Sequence, residues 1–392
     1  MIIGVPKEAR AGESRVGLIP ANVAALVKLG REILIEPGAG AQAGHSDQAY
    51  EEAGAKLQDR NSIFSQADII VQVQTQGFTQ EDPAGDLDKL RDNQILVGMM
   101  DPLANPEFAQ TLADRKVTGV AMELIPRITR AQAMDVLSSM AMIAGYKAVL
   151  IAAEQSKQMF PMNMTAAGTL KPARAFIMGA GVAGLQACAT AKRLGAVVEA
   201  YDVRPAAREQ ILSVGAKPVE LDIKAENTET SGGYAKEQSA EFIKAQQAAM
   251  ADVLSQQDIV ITTAAVPGKK SPILITAEMV QSMKPGAIIV DLAAEKGGNC
   301  ELTELDKEVV VNGVTILGPS HVPASVAHHA SQMYGKNIEN LLAHLVDDEG
   351  NINLDFEDEI VHDTVVSLNG EVVQPRLKEL LGIAQPEPAT AE

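Results

Sequence analysis

Aromatic residues are scarce in this 392-residue sequence: they make up 3% of it, and tryptophan is absent. Apolar residues nevertheless reach 46%, so the cores must be built from Ala, Val, Ile, Leu and Met. Aliphatic cores of this kind suit α/β layers, in which parallel strands are covered on both faces. The chain is too long for one ordinary domain and long enough for two.

Cysteine and positive charge are also limited. The only cysteines, Cys188 and Cys300, lie in no CxxC or His/Cys cluster, which argues against a disulfide framework or a structural zinc site and fits a reducing cytosol. The 33 basic and 51 acidic residues give a net charge of −18. Because this field repels nucleic acid and anionic membrane surfaces, we expect no nucleic-acid binding. An anionic cofactor would have to be held by local groups.

Long hydrophobic runs are missing at the N-terminus, where MIIGVPKEAR has no signal-peptide core. The most apolar region, residues 136–153, contains Ser138, Ser139 and Lys147. Its mixed character favours a buried helix over a membrane span.

Strand-like and helix-like segments alternate along the chain. Strands are predicted in a first series over residues 1–5, 32–36, 67–73, 94–99 and 117–122, and in a second over 174–178, 197–201, 259–263, 287–291 and 315–317. Long helices are predicted over 130–155 and 325–346. Such alternation is typical of an α/β fold, here two Rossmann-like, doubly wound parallel-sheet domains joined by long helices.

The first of the two predicted domains is discontinuous. Residues 1–138 and 326–384 form the N-terminal Rossmann-like domain, and residues 139–325 form the second Rossmann domain. The polar segment 222–240 interrupts the second domain, and the sequence leaves open whether it is a functional lid or disordered. The Pro- and Glu-rich tail, residues 385–392, is predicted to be disordered.

The second series opens with a dinucleotide-binding fingerprint. Strand 174–178 runs into the glycine-rich turn Gly179-Ala180-Gly181-Val182-Ala183-Gly184, and a predicted helix follows. In such a turn, the first glycine allows a tight bend, the second lets the backbone approach a pyrophosphate, and the third lets the helix pack close to the strand. The helix N-terminus then offers free N–H groups to the phosphates. The alternative is a glycine-rich turn that binds nothing.

An acidic residue follows at the expected spacing. Asp202 ends the next strand, 23 residues after Gly179, where a carboxylate hydrogen-bonds a ribose 2′-hydroxyl. This favours NAD(H) over NADP(H), because the carboxylate would repel a 2′-phosphate. Arg204 leaves the choice open, since a neighbouring arginine can accommodate that phosphate. Val203 and Arg204 complete this part of the predicted cofactor site.

Two later loops follow strands of the same series. One contains Thr263, Ala264, Ala265 and Pro267, and the other begins at Leu292. Loops at the carboxyl ends of strands in a doubly wound sheet lie beside the cofactor crevice. We predict that both contact the cofactor, although either could be a simple connection.

A polar cluster precedes the most apolar region. Gln132, Asp135 and Ser138 recur every three residues and are predicted to share a helix face, with Arg127 close enough to pair with Asp135. Such a cluster could orient a nicotinamide carboxamide and ribose. The simpler interpretation is a capping and salt-bridge cluster on a surface helix, and the residues alone do not decide between the two.

Several motifs run in one order over nearly the whole chain: MIIGVPKE, ESRVGLIP, EPGAGAQAGHSD, IPRITRAQAMDVLSSMAMIAGY, GAGVAGL and VDLAAEKGGNCE. Together they resemble the alanine dehydrogenase and transhydrogenase superfamily, and within it the NAD(H)-binding component, domain I, of proton-translocating transhydrogenases. The alanine dehydrogenases carry a lysine and a histidine in segments that read VQVQTQ and GMMDPLAN here. Arg15, which matches their substrate arginine, remains. The resemblance therefore favours the transhydrogenase branch.

The resemblance implies an activity and a set of catalytic residues. Hydride would pass directly between NAD(H) on this chain and NADP(H) on a partner domain, with Arg127, Gln132, Asp135 and Ser138 at the reacting end. Gly233, Tyr234 and Ala235 would belong to a mobile loop that closes over NAD(H). No metal is implied, and the pair His328–His329 is interpreted as structural.

The resemblance also implies partners. We expect a homodimer that works with an NADP(H)-binding domain III and a transmembrane subunit that passes protons. This chain would be peripheral on the cytoplasmic face of the plasma membrane. The alternatives are a self-contained alanine-type dehydrogenase, a non-catalytic NAD(H)-binding module and, less favoured, a relative of saccharopine dehydrogenases.

Overall fold

The computed structural model describes residues 1–75, 86–221, 239–266, 268–347 and 349–383. They fall into two compact units. Unit 1 comprises Met1–Met140 and Ala324–Glu392, and unit 2 comprises Ala141–Pro323. Each unit has its own sheet.

Unit 1 is built on an eight-stranded sheet with the order β17-β16-β6-β5-β4-β1-β2-β3. The six parallel strands are β1 (Ile2–Val5), β2 (Glu32–Ile35), β3 (Lys56–Leu57), β4 (Ile69–Gln74), β5 (Ile95–Met99) and β6 (Thr118–Ala121). The antiparallel strands β16 (Val365–Leu368) and β17 (Glu371–Val372) extend one edge.

Seven helices of unit 1 accompany this sheet in the part of the chain that the structure describes. They are α1 (Pro20–Lys28), α2 (Asp47–Glu52), α3 (Arg60–Gln66), α4 (Glu107–Asp114), α10 (Ala327–Leu345), α11 (Glu359–Thr364) and α12 (Pro375–Leu380). The two tyrosines of unit 1 are buried with their hydroxyl groups paired. The buried hydroxyl of Tyr50 donates to Leu18 O, and that of Tyr334 donates to Gln72 O, which removes the cost of burying an unpaired polar atom.

Unit 2 is built on a seven-stranded sheet with the order β11-β10-β9-β12-β13-β15-β14. The strands are β9 (Arg174–Met178), β10 (Val197–Tyr201), β11 (Lys217–Pro218), β12 (Ile259–Thr262), β13 (Ile288–Asp291), β14 (Glu308–Val311) and β15 (Val314–Leu317). All are parallel except the edge strand β14. A separate hairpin pairs β7 (Asn163–Thr165) with β8 (Gly168–Leu170).

The other α-helices of the described residues are α5 (Val136–Gln155), α6 (Val182–Arg193), α7 (Ala207–Ser213), α8 (Ala240–Ser255) and α9 (Ala277–Ser282). Helix α5 begins near the end of the first segment of unit 1 and continues into the residues of unit 2. It is long and apolar enough to cross a membrane by composition alone. One such helix is weak evidence for a membrane span, because core helices of globular proteins pass the same test.

Both sheets share one strand order. In each, the first strand lies near the middle, the next two extend to one side, and the fourth, fifth and sixth parallel strands extend to the other. This is the order of dinucleotide-binding Rossmann folds, in which ligands bind outside the carboxyl ends of the strands where the order reverses. The predicted α/β class with parallel-rich sheets is confirmed.

The structure corrects the predicted start and burial of α5. The helix was predicted from residue 130, but Thr129–Met134 is a 3-10 turn and Asp135 is extended, with φ −70° and ψ 92°. The α-helix therefore begins at Val136. The segment 136–153 is also less buried than predicted, since Met142 and Tyr146 are 36% and 40% exposed.

Candidate functional site

The glycine-rich turn of unit 2 lies between β9 and α6. Gly179 has φ +97°, and a Cβ there would lie 2.5 Å from Thr263 Oγ1. A Cβ at Gly184 would lie 1.8 Å from Gly179 O. These two glycines therefore allow the turn to bend left-handed and the helix to pack directly on it.

The environment of Gly181 differs from that of Gly179 and Gly184. A Cβ built on it would meet no protein atom within 4 Å, so this glycine leaves open space beside the backbone. It is the N-cap residue of α6, and no side chain caps that helix end. Val182, the first residue of α6, is 39% exposed. The combination of open space and uncapped N–H groups at the start of a twelve-residue helix suits an anionic phosphate.

Asp202 stands at the end of β10, beside this turn. One of its carboxylate oxygens accepts from Ala180 N at 2.7 Å. The same carboxylate accepts from the backbone N–H of Arg204 and from Nε and Nη2 of its guanidinium, each at 2.9 Å. Val203, between them, packs against a core cluster of unit 2. The structure thus joins the predicted ribose carboxylate to the turn through a hydrogen bond.

The loop after β12 lies next to the turn, because β12 is the neighbour of β9. Thr263 Oγ1 donates to Gly179 O at 3.1 Å. Ala264 is half-buried and Ala265 is exposed. Leu292 follows β13 and donates its N–H to Thr262 O at 3.0 Å, so both predicted loops lie at the carboxyl edge of the sheet.

Two residues that support these loops were missed by the sequence reasoning. Asp291 is fully buried and accepts from two hydroxyls and three backbone N–H groups: Thr262 Oγ1, Thr303 Oγ1, Ala293 N, Asn299 N and Cys300 N. Asn299 is fully buried as well and binds the backbone of Ala264. Both lie in the motif VDLAAEKGGNCE, whose pair Gly297-Gly298 marks a tight turn after the strand.

The polar cluster of unit 1 differs from its predicted arrangement. Because α5 begins at Val136, Gln132, Asp135 and Ser138 do not share one helix face, and that prediction is wrong. Asp135 instead caps the helix: its carboxylate accepts from Ser138 N at 2.9 Å and from Ser138 Oγ at 2.5 Å. Arg127 Nε lies 3.9 Å from Asp135 Oδ2, so the predicted ion pair is present, and Gln132 is exposed.

Two polar side chains of unit 1, Glu8 and Arg15, are bonded within that unit. Glu8, three residues after β1, accepts from Val73 N at 2.7 Å and from Gln74 N at 3.1 Å. Arg15 is 3% exposed. Its Nε and Nη2 donate to Glu13, and its Nη1 contacts Met140 Sδ at 3.2 Å. Each guanidinium nitrogen of Arg15 therefore has one contact within unit 1.

Some predicted site residues lie outside the described residues. These are Gly233, Tyr234, Ala235 and Pro267, together with most of the segment 222–240 and the tail 385–392. Their assignments stay predictions.

Family models match both halves of the sequence. The model described as alanine dehydrogenase/PNT, N-terminal domain, matches residues 4–144, and the one described as alanine dehydrogenase/PNT, C-terminal domain, matches residues 148–375. This chain belongs to the alanine dehydrogenase/transhydrogenase family. The resemblance inferred from the motifs is thereby confirmed.

Relatives within the family carry transhydrogenase names. An NAD(P) transhydrogenase subunit alpha polypeptide of Rhodospirillum rubrum is 48% identical over 380 residues, which cover 96% of this chain and 99% of that protein. NAD(P) transhydrogenase subunit alpha of Haemophilus influenzae is 44% identical over 392 residues, covering 100% of this chain and 75% of that protein. These names support the family role of this chain as part of an oxidoreductase that binds a nicotinamide nucleotide.

Solved structures agree with this placement. A transhydrogenase from Sinorhizobium meliloti has a TM-score of 0.84 at 43% identity, covering 95% of this chain and 100% of that one. An L-alanine dehydrogenase has a TM-score of 0.79 at 24% identity, covering 97% and 99% of the two chains. The second likeness shows a shared fold and no more.

Proposed function

We propose that this chain is the NAD(H)-binding component of a proton-translocating transhydrogenase, in which hydride passes directly between NAD(H) held here and NADP(H) held on a partner domain. The observation that carries this proposal is the open, uncapped turn at Gly181 in unit 2. The 48% identity to a transhydrogenase alpha-subunit polypeptide over nearly the whole chain supports it.

The residues of unit 2 would bind and orient the cofactor. The N–H groups at the start of α6 would hold the pyrophosphate, and Asp202 would accept from the adenosine ribose. The loops at Thr263–Ala265 and Leu292 would border the other half of the dinucleotide. The bound nicotinamide supplies the hydride chemistry, so the protein needs no side-chain acid, base or nucleophile at this step. Its task is to hold the ring in a reactive pose.

The pairing of Arg204 supports NAD(H) over NADP(H). Its guanidinium donates two hydrogen bonds to Asp202, and Asp202 and Arg204 are 6% and 14% exposed. A 2′-phosphate would have to break this pair and would then face the freed carboxylate. We therefore assign the site to NAD(H), with Asp202, Val203 and Arg204 around the adenosine ribose.

We propose that Arg127, Gln132, Asp135 and Ser138 act at the reacting end. Capping by Asp135 fixes Ser138, and the neighbouring Arg127 balances the carboxylate. Gln132 has no side-chain hydrogen bond within the described ranges, and its carboxamide is exposed, which suits contact with a ligand or partner. Gly233, Tyr234 and Ala235 are proposed to cover bound NAD(H), and Pro267 to contact it.

The proposed assembly is a homodimer associated with an NADP(H)-binding domain III and a transmembrane subunit, peripheral on the cytoplasmic face of the plasma membrane. Apolar residues around the β7–β8 hairpin support the homodimer. Met159, Met162, Met164 and Leu170 are 51%, 58%, 77% and 49% exposed, and contiguous exposed apolar groups mark protein contacts. Sedimentation of Met164→Lys should show a larger share of monomer than the wild-type chain.

A self-contained alanine dehydrogenase is the second candidate. It is favoured by a 30% identical alanine dehydrogenase from Bacillus subtilis, which aligns over 78% of this chain and 73% of its own. It is disfavoured by the segments VQVQTQ and GMMDPLAN, which hold neither the lysine nor the histidine of the alanine dehydrogenases, and by Arg15, whose charge is already paired with Glu13. A non-catalytic NAD(H)-binding module is the third.

An assay of hydride transfer in solution tests these three candidate functions. The purified chain is mixed with NADH and NADP⁺, alone and with the source cell's membranes stripped of this subunit. Hydride transfer only in the mixture supports the transhydrogenase. Oxidation of L-alanine with NAD⁺ by the chain alone would support the second candidate, and NADH binding without any turnover would support the third.

A further inference from the structure

We propose that Asn299 is a positioning residue for the nicotinamide half of the cofactor, acting through the backbone of Ala264. The inference rests on the proposed NAD(H) site of unit 2. It starts from the carboxamide of Asn299, whose Oδ1 accepts from Ala264 N at 3.0 Å while Nδ2 donates to Ala264 O at 2.9 Å. One side chain thus satisfies both backbone groups of one loop residue.

The Asn299 side chain is itself held from several directions. Its Nδ2 also donates to Pro272 O at 2.9 Å, and its backbone N–H donates to the buried Asp291 carboxylate at 2.7 Å. Its carbonyl accepts from Leu274 N and Ile275 N. Asp291, at the end of β13, therefore fixes the position of Asn299. The Asn299 carboxamide in turn fixes the loop after β12 through its two bonds to Ala264.

The anchored loop lies on one side of the crevice. Strand order places β10 and Asp202 on one side of β9, and β12 on the other. A dinucleotide that binds across this point has its adenosine half toward β10 and its nicotinamide half toward β12. Thr263 ties the loop to the glycine-rich turn, and Asn299 ties its next residue to β13. Asn299 should therefore control the nicotinamide half and leave the adenosine half unaffected.

The geometry requires a carboxamide. An ionised carboxylate at this position could still accept from Ala264 N, but its second oxygen would face the carbonyls of Ala264 and Pro272 without a proton between them. A neutral carboxylic acid can donate one of those bonds and restore most of the clamp. The effect of Asn299→Asp should thus be large at pH 8 and shrink toward pH 6, because burial disfavours the charged form.

The test compares two ligands on the full chain. NADH affinity is measured from dihydronicotinamide fluorescence, and 5′-AMP affinity by calorimetry, at pH 8 and pH 6. For Asn299→Asp at pH 8 we expect about tenfold weaker NADH binding, the equivalent of losing one or two buried hydrogen bonds, with 5′-AMP affinity within about twofold of wild type. Lower pH should return most of the NADH affinity.

The matched control is Asn312→Asp, which makes the same change in the exposed turn between β14 and β15, where the side chain bonds only Gln281 O. It should leave both affinities unchanged. Asn299→Ser replaces the carboxamide with a hydroxyl and adds no charge, so it guards against a folding defect in the first variant. It should show a smaller loss with the same selectivity for NADH.

Equal loss of NADH and 5′-AMP affinity in both Asn299 variants, or no loss of NADH affinity in either, would overturn the positioning role. Failure of the wider functional proposal looks different. In that case the wild-type chain would bind NADH but transfer no hydride with the stripped membranes, while the ligand-selective effect of Asn299→Asp would persist.

Discussion

The two units have the same strand order, but different residues follow the first strand of each sheet. In unit 2, β9 is followed by glycines, and the start of α6 stays open at Gly181. In unit 1, β1 is followed by Glu8, whose carboxyl group takes the N–H groups at the end of β4. A doubly wound sheet therefore creates a position for a ligand, and the residues after the first strand decide whether that position remains open.

The buried carboxyl groups at the carboxyl edges of the two sheets also have different surroundings. Burial and the nearby Glu13 carboxylate raise the pKa of Glu8 to about 8, and burial raises the pKa of Glu123 to about 7. Unit 1 thus holds two buried carboxyl groups at this edge whose pKa values are raised. In unit 2, the Asp202 carboxylate is paired with a guanidinium and the Asp291 carboxylate accepts five hydrogen bonds, so both carboxylates act as anchors for loops.

The largest expected effect is that of Gly184→Ala. The added methyl group would lie 1.8 Å from Gly179 O, a backbone atom that cannot move without opening the turn. We expect unit 2 to lose about 3 kcal/mol of stability and NADH binding to become undetectable. Calorimetric melting and NADH titration measure both, and wild-type-like values would show that close packing of α6 on the turn is not required.

Gly181→Ala should separate binding from folding. The added methyl group meets no protein atom within 4 Å, and the residue has φ −73°, which alanine adopts readily. Stability should be unchanged or slightly raised, while the methyl group occupies the space proposed for the pyrophosphate and weakens NADH binding by at least about tenfold. Unchanged affinity for NADH would place the phosphates elsewhere.

Asp202→Ala should weaken NADH binding by about tenfold, because it removes the proposed bond to the ribose and releases Arg204. It should improve binding of NADPH relative to NADH, since the freed guanidinium can then meet a 2′-phosphate. Titrations with NADH and with NADPH give the ratio of the two dissociation constants. A ratio equal to that of the wild-type chain would contradict the assignment of Asp202 to the ribose.

Glu123→Gln should flatten the pH dependence of unit 1 stability. The Glu123 pKa rises from 4.5 to about 7 on folding, so its stabilising contribution is complete below pH 4.5 and is lost as the pH rises through about 7. Oε1 accepts from Met100 N and Asp101 N, and the buried Oε2 has no hydrogen-bond partner within the described residues. The amide keeps the accepting oxygen and does not titrate.

The wild-type chain should therefore lose about 2 kcal/mol of stability relative to this variant between about pH 5 and about pH 8. Urea titrations at the two pH values check this difference. Parallel pH dependence in both proteins would show that folding does not shift the pKa of Glu123.

Local patterns allowed much of unit 2 to be predicted. The fingerprint, its strand and Asp202 lie within one strand-helix-strand segment, where spacing fixes geometry. The start of α5 was misplaced because a carboxylate that caps a helix has the same sequence spacing as one on its face. Short edge strands such as β14, β16 and β17 were missed because their pairing depends on neighbours rather than on their own composition.

The sequence by itself determined the α/β class and the glycine-rich turn, because aliphatic alternation and glycine conformation act over a few residues. Only the tertiary structure decided that Glu8 bonds the N–H groups at the end of β4, and that Asn299 holds Ala264. These contacts join residues far apart in the chain, 65 positions for Glu8 and Val73 and 35 for Asn299 and Ala264. Hydrogen bonds across such separations form only when the sheet brings its strand ends together.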